Sequence, residues 1–166
     1  MTETDEYLPV PQPDELTQKE KDDAMGAYLM MFAAWAVGLP LPFINIIASV
    51  IYYFVNRDKG NFVLFHTLQS MWSQILVGIL NAVLVFWLLA FVFSDLTVNN
   101  LFWGFLITNI AINLLYTILS IWAAARARKG RFLYFFFFGK LAFHLAYSVE
   151  RNERRTKDYS NAPPKL

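Results

Sequence analysis

Three long stretches of this chain contain no Asp, Glu, Lys or Arg, and no other sequence feature limits the fold as strongly. The stretches cover residues 24–56, 60–94 and 96–125. A helix needs about 20 apolar residues to cross a hydrocarbon core roughly 30 Å thick, and each stretch is long enough. A charged side chain costs about 3 kcal/mol at the bilayer centre, which explains the absence of charges. The pattern predicts an all-α, polytopic helical membrane protein.

The charged residues collect outside these stretches and divide the chain into three parts. Residues 1–24 hold eight acidic and two basic side chains, together with three prolines. A segment of this composition cannot bury a core, so we predict a disordered acidic tail over residues 1–24. We predict a helical membrane domain over residues 25–149 and a disordered polar tail over residues 150–166.

Gly38, Pro40 and Pro42 interrupt the first apolar stretch. Proline lacks an amide donor and clashes with the preceding helical turn, so a helix breaks or kinks there. The two halves, residues 25–37 and 43–55, are each short for a full span. The sequence therefore predicts a broken first membrane segment. It leaves open one bent span or a hairpin of two short helices, and it slightly favours the hairpin.

The other two stretches predict two long membrane helices, over residues 61–93 and 98–125. The loop at residues 56–61 has two basic residues, the turn at 94–97 has none, and residues 126–131 have four. Lys and Arg in short loops stay on the cytoplasmic side. We therefore expect a multi-pass membrane protein with a cytoplasmic C-terminus. The N-terminal tail then lies outside for a bent span and inside for a hairpin.

Residues 132–149 form a further apolar segment, and the sequence leaves its position open. Residues 134–138 are all aromatic, whereas Lys140, His144 and Arg151 recur on one side of a helix. Basic residues flank both ends of the segment. It predicts a C-terminal interfacial helix or a fourth membrane helix, and the polar side favours the interfacial helix.

Polar residues within the two long helices are the local signal of function. They form one stripe on each helix, and because amides in hydrocarbon need partners, the two stripes should face each other. The members are His66, Gln69, Ser70, Ser73, Gln74 and Asn81 on the second membrane segment, and Asn109, Asn113 and Ser120 on the third. The stripes predict either hydrogen bonds that fix helix packing or a polar path, and they favour packing.

Few classes of chemistry fit the remaining residues. The chain has no cysteine and only two histidines, which excludes thiolate chemistry and a histidine-rich metal site. Histidine ordinarily titrates near neutral pH, so a pH-sensing role for His66 stays open beside a more favoured hydrogen-bonded packing role. Catalytic sequence signatures are absent. We expect no enzyme activity, no cofactor and no nucleic-acid partner, and as partners the lipid bilayer and either another membrane protein or a second copy.

A motif at the start of the second long helix gives a resemblance to known proteins. Residues 61–74 read NFVLFHTLQSMWSQ, with His-x-x-Gln-Ser after a short charged turn. With the GLPLPF break at residues 38–43 and the basic segment at 123–131, this layout resembles a small bacterial membrane family that includes the magnetosome proteins MamF and MmsF. It is also similar to the twenty-kilodalton subunit of the chloroplast inner-envelope protein translocon. The matching motif residues are His66, Gln69 and Ser70.

The resemblance implies localisation in the bacterial inner (plasma) membrane and a scaffolding or translocon-like role. We therefore predict a non-enzymatic component or scaffold of a membrane complex. The alternative is a small channel or transporter with a polar path between the second and third spans. A third hypothesis is lipid or stress sensing through the basic C-terminal helix.

Overall fold

The computed structural model describes residues 7–33 and 42–149, and the regular elements in these ranges are all helices. They are α1 (Gln18–Leu29), which a 3₁₀ turn (Met30–Phe32) extends, α2 (Pro42–Asn56), α3 (Asn61–Phe93), α4 (Asn100–Arg128) and α5 (Phe138–Tyr147). The all-α prediction is confirmed. The break predicted at Gly38 and Pro40 lies outside the described residues, as does the polar tail predicted over residues 150–166.

α3 and α4 are long and apolar enough to cross a membrane, with 33 and 29 residues. In the most apolar 18-residue window of each helix, only 11% of the residues are buried inside the protein. A core helix of a soluble protein would be mostly buried, whereas a membrane helix turns its apolar side chains to lipid. Phe93 and Leu101, for example, are 82% and 71% exposed. The prediction of a helical membrane protein with two long apolar helices is confirmed.

The first third of α3 differs from the rest, because every side chain from Phe62 to Met71 is buried. α1, α2 and α5 pack around this part, and α1 also packs along the end of α4. Beyond it, α3 and α4 run on as a pair with Trp87 and Phe91 against Phe102. We call residues 75–93 and 100–119 the stalk. The head consists of α1, α2, α5 and the remaining parts of α3 and α4.

α1 begins inside the segment that the sequence analysis assigned to a disordered tail. Thr17 and Glu20 form a reciprocal cap: the Thr17 hydroxyl accepts from the Glu20 amide at 3.2 Å, and the Glu20 carboxylate accepts from the Thr17 amide at 2.9 Å. Leu16, immediately before the cap, is buried in a cluster with Phe135. The boundary at residue 24 is therefore wrong, since a capped and anchored helix begins at Gln18.

The start of α1 and the end of α2 lie at the same end of the molecule, which we call the charged end. The Asp23 carboxylate lies 3.0 Å from the Lys59 ammonium, and the Tyr52 hydroxyl donates to the Asp23 carbonyl at 2.8 Å. α3 starts and α4 stops at this end, at Asn61 and Arg128. A single bent span would separate the two ends of the first apolar segment, so their proximity has the geometry of the hairpin.

The chain reverses direction after α4 through a glycine-dependent cap. Gly130 has a φ of +69°, its amide donates to the Ala127 carbonyl at 2.9 Å, and the Arg131 amide donates to the Arg126 carbonyl at 3.0 Å. This is the Schellman arrangement that ends helices at a left-handed residue. The next regular element, α5, has ten residues and is about 15 Å long. A C-terminal helix is present within the segment 132–149, but it covers only Phe138–Tyr147, and α5 is too short to cross a membrane.

The N-terminal segment lies against α5 at the charged end. The Leu8 amide donates to the Tyr147 carbonyl at 2.8 Å, and the rings of Tyr7 and Phe143 are 5.4 Å apart. These contacts bring residues from both ends of the described chain together. The N-terminal segment and α5 are therefore on the same side of the stalk.

Candidate functional site

The His-x-x-Gln-Ser motif lies in the buried first third of α3. His66 and Gln69 are completely buried, and Ser70 is 1% exposed. Spacings of three and four residues place these side chains on neighbouring faces of one helix. They point to α1 and to the segment between α4 and α5, with which they form the contacts described next.

The side-chain amide of Gln69 forms hydrogen bonds that connect three segments of the chain. Its Oε1 accepts from the Phe135 backbone amide at 3.0 Å. Its Nε2 donates to the Leu133 carbonyl at 2.9 Å and to the Tyr28 hydroxyl at 2.8 Å. Both amide protons have acceptors and the oxygen has a donor, so the side chain can take only this orientation. Gln69 thereby fastens α1 and the residues after α4 to α3.

His66 stands at the end of a hydrogen-bond chain that starts from Gln69. The Tyr28 hydroxyl lies 2.9 Å from His66 Nδ1. The Tyr28 oxygen also accepts from Gln69 Nε2, and whether the hydroxyl donates to Nδ1 or accepts from it depends on the tautomer of His66. Within the described chain, Nε2 has no hydrogen-bond partner. The rings of Phe62 and Phe65, at 4.6 and 4.9 Å, flank the imidazole.

Ser70 and Gln74 form a second connection between α3 and α1. The Ser70 hydroxyl donates to the Ala27 carbonyl at 2.7 Å, and Gln74 Nε2 donates to the Ser70 oxygen at 2.9 Å. The Ala27 carbonyl belongs to the last turn of α1, where carbonyl groups lack partners within the helix. Ser70 therefore supplies the closer of two side-chain donors to this carbonyl, the other being Gln74 Nε2 at 3.4 Å. We call Tyr28, His66, Gln69, Ser70 and Gln74 together the latch.

The three asparagines form a separate group in the stalk. Asn81 and Asn113 pair reciprocally: each Nδ2 donates to the other Oδ1, at 3.0 and 2.8 Å. Asn109 Nδ2 donates to the Leu80 carbonyl at 3.2 Å. Amides that bond each other across two helices need no further partner in hydrocarbon. This group links α3 only to α4, whereas the latch links α3 to α1.

The predicted stripes are thus divided in two, and some of their members form no bond between helices. Ser73 donates to the Ser70 carbonyl of its own helix at 2.9 Å. Ser120 is buried, and its hydroxyl lies close to the Tyr116 hydroxyl one turn earlier on α4. Gln74 Oε1 has no hydrogen-bond partner in the described part of the chain. α1 enters between α3 and α4 at the charged end, so the two stripes do not face each other along their whole length.

Sequence reasoning missed Tyr28 and the backbone groups of Leu133 and Phe135. Tyr28 lies in the first apolar stretch, and the signal was a lone phenol among apolar residues, since a buried Tyr hydroxyl usually needs a partner. The two backbone groups carry no sequence signal. In residues 7–33 and 42–149, no three His, Cys, Asp or Glu side chains come together as a metal site would require.

The fold and the latch define a class: a helical membrane protein with two long apolar helices and a head fastened by buried polar residues. A family model described as the magnetosome magnetite crystal formation protein family, MamF/MmsF, matches residues 21–143. The chain belongs to this family, as its His-x-x-Gln-Ser layout predicted. No curated protein and no solved structure shows a significant match. The similarity to the chloroplast translocon subunit stays a prediction.

Proposed function

We propose that this protein is a non-enzymatic component or scaffold of a membrane complex. The observation that carries the proposal is the latch. Its side chains bond to one another and to backbone groups, and Gln69 uses every proton of its amide in doing so. Polar groups engaged in this way hold helices together and are not available to a substrate. The motif then serves to present a fixed head at one end of the membrane helices.

The proposed topology follows from the charged end. Arg128, Lys129 and Arg131 lie there, beside the end of α4, and Lys and Arg next to spans mark the cytoplasmic side. α3 and α4 then cross the bacterial inner membrane, while α1 and α2 enter as a hairpin and return. Both chain ends belong to the cytoplasmic side, and α5 lies in the membrane interface.

The family description and the sequence resemblance supply two settings for such a complex. The family is described by magnetosome magnetite crystal formation, which supports a magnetosome membrane as one setting. The similarity to a translocon subunit adds protein movement across a membrane as the second setting. Both settings need a helical component that binds other membrane proteins.

Affinity purification from native membranes in a mild detergent, with mass spectrometry of the co-purifying proteins, tests the proposal. We expect a second membrane protein in stoichiometric amount. We also expect Gln69→Leu to reduce its recovery, because the head loses its fastening, and Thr117→Ala to leave it unchanged. Recovery of the wild-type protein as a lone monomer would contradict the proposal.

A small channel or transporter is the second candidate, favoured by one observation. Gln74 Oε1 is buried without a partner among the described residues, and the hydroxyls of Ser73, Tyr116 and Ser120 lie close together between the facing helices α3 and α4. Unpaired polar atoms at membrane depth attract water or a polar solute. Ion or solute flux in proteoliposomes that Tyr116→Phe and Ser120→Ala together abolish supports this candidate. The absence of any flux rejects it.

A further inference from the structure

The most exposed aromatic side chains of the head lie between α4 and α5. Phe136 is 90% exposed and Phe137 75%, and their rings are 5.0 Å apart in an edge-to-face arrangement. Tyr134 and Leu141 beside them are 49% and 44% exposed. We call Tyr134, Phe136, Phe137 and Leu141 together the foot. The foot belongs to the head and not to the stalk, so the lipid contacts of α3 and α4 do not account for it.

The latch holds the foot in this outward position. Gln69 binds the backbone of Leu133 and Phe135, and the side chain of Phe135 is buried. Tyr134 lies between these two residues, and Phe136 and Phe137 form the turn that leads into α5, where both are exposed. Gly139 packs against this segment so closely that a Cβ atom there would lie 2.8 Å from the Tyr134 Cα. The exposure of the foot is therefore built into the fold.

Basic residues flank the foot in the sequence, and no acidic residue lies among them. From residue 124 to residue 149 the chain has five basic residues and no Asp or Glu. Four of the five are exposed: Arg128, Lys129, Arg131 and Lys140. In the described part of the chain, the ion pairs involve other bases: Arg57 with Asp58 at 3.4 Å and Lys59 with Asp23 at 3.0 Å. The four exposed bases thus carry net positive charge beside an apolar surface.

We propose that the foot inserts into the adjacent leaflet and that these four bases bind anionic phospholipid headgroups. Aromatic side chains favour the boundary between headgroups and acyl chains, and basic residues beside them attract anionic lipid. The foot follows directly from α4, whose exposed Trp122 lies near the charged end, so it continues the lipid-facing surface. A second copy fits less well, because a symmetric contact would bring the same bases together.

This inference rests on the proposed membrane placement of the head and adds the class of lipid. The chain has no cysteine, so a single introduced cysteine gives one labelling site. Phe137→Cys carrying a bimane label, in nanodiscs with brominated phosphatidylcholine or brominated phosphatidylglycerol, reports which lipid lies beside the foot. Gln12→Cys is the matched control, since Gln12 is exposed on the N-terminal segment.

We expect quenching at position 137 by both brominated lipids, more strongly by phosphatidylglycerol, and little quenching at position 12. Replacing the four bases by Gln together should reduce the preference for phosphatidylglycerol by at least about fivefold, and added salt should weaken it. Quenching by phosphatidylcholine should remain in that variant.

Equal quenching by both lipids would overturn the headgroup assignment, and no quenching at position 137 would overturn insertion. Partner recovery from native membranes is measured separately. Failure of the lipid inference is therefore distinguishable from failure of the complex proposal.

Discussion

The head and the stalk share the helices α3 and α4 but use polar side chains differently. In the head, Gln69 bonds to residues 41 and 64 positions away in the sequence, so one side chain organises three segments. In the stalk, Asn81 and Asn113 bond only to each other and to neighbouring turns. Polar side chains therefore fix the packing of three segments in the head and only the pairing of two helices in the stalk. Substitutions should therefore cost more in the head.

Gln69→Leu should have the largest effect, with a loss of about 3 kcal/mol in the free energy of unfolding. Three buried groups would lose a partner, each at about 1 kcal/mol. Gln74→Leu is the matched control, because it breaks bonds only to the Ser70 hydroxyl and, more weakly, the Ala27 carbonyl. Unfolding in mixed micelles measures both variants. Equal losses would show that Gln69 has no special weight within the latch.

Two glycines give the next contrast. Gly139→Ala should cost about 2 kcal/mol, because the new Cβ would meet the Tyr134 backbone in the head. Gly104→Ala in the stalk should stabilise by about 0.5 kcal/mol, since no atom lies within 4 Å of a Cβ there and Ala favours the helix. Thermal midpoints in the same detergent compare the two variants. If Gly104→Ala lowers stability as much as Gly139→Ala does, the head is not packed more tightly than the stalk at these positions.

The asparagine pair should show that removing one partner costs more than removing both. Asn113→Leu leaves the Asn81 amide unpaired, so we expect a loss of about 1 kcal/mol. Asn81→Leu combined with Asn113→Leu should recover part of this loss, because no orphaned amide remains between these two positions. A double-mutant cycle in mixed micelles measures the coupling, for which membrane proteins give about 0.6 kcal/mol per contact. Strictly additive losses would mean that the pair does not couple.

Thr117→Ala should have the smallest effect, within about 0.5 kcal/mol. The Thr117 hydroxyl donates to the Asn113 carbonyl of its own helix at 2.8 Å and joins no second element. The same unfolding measurement checks this value. A loss above about 1 kcal/mol would mean that the stalk carries a polar contact outside the asparagine group.

The long apolar helices could be predicted from the sequence, and much of the head could not. The second stretch without charges predicted a helix over residues 61–93, which agrees with Asn61–Phe93. The predicted residues 98–125 of the next helix correspond to Asn100–Arg128. The start of α1 was missed although Thr17 and Glu20 have the capping-box spacing, because the acidic composition indicated a flexible tail. The partners of Gln69 were beyond sequence reasoning, since two of them are backbone groups whose position depends on how the chain turns at Gly130.

Hydrogen exchange at the Phe135 amide shows whether Gln69 fastens the head, because this amide donates to Gln69 Oε1 at 3.0 Å. The measurement compares the wild-type protein with Gln69→Leu in nanodiscs, by mass spectrometry of peptides from the head and from the stalk. If the His-x-x-Gln-Ser motif fastens the head, the substitution will accelerate exchange at Phe135 and in neighbouring head residues and leave the stalk unchanged. Unchanged protection of the Phe135 amide in the variant would show that Gln69 does not fasten the head.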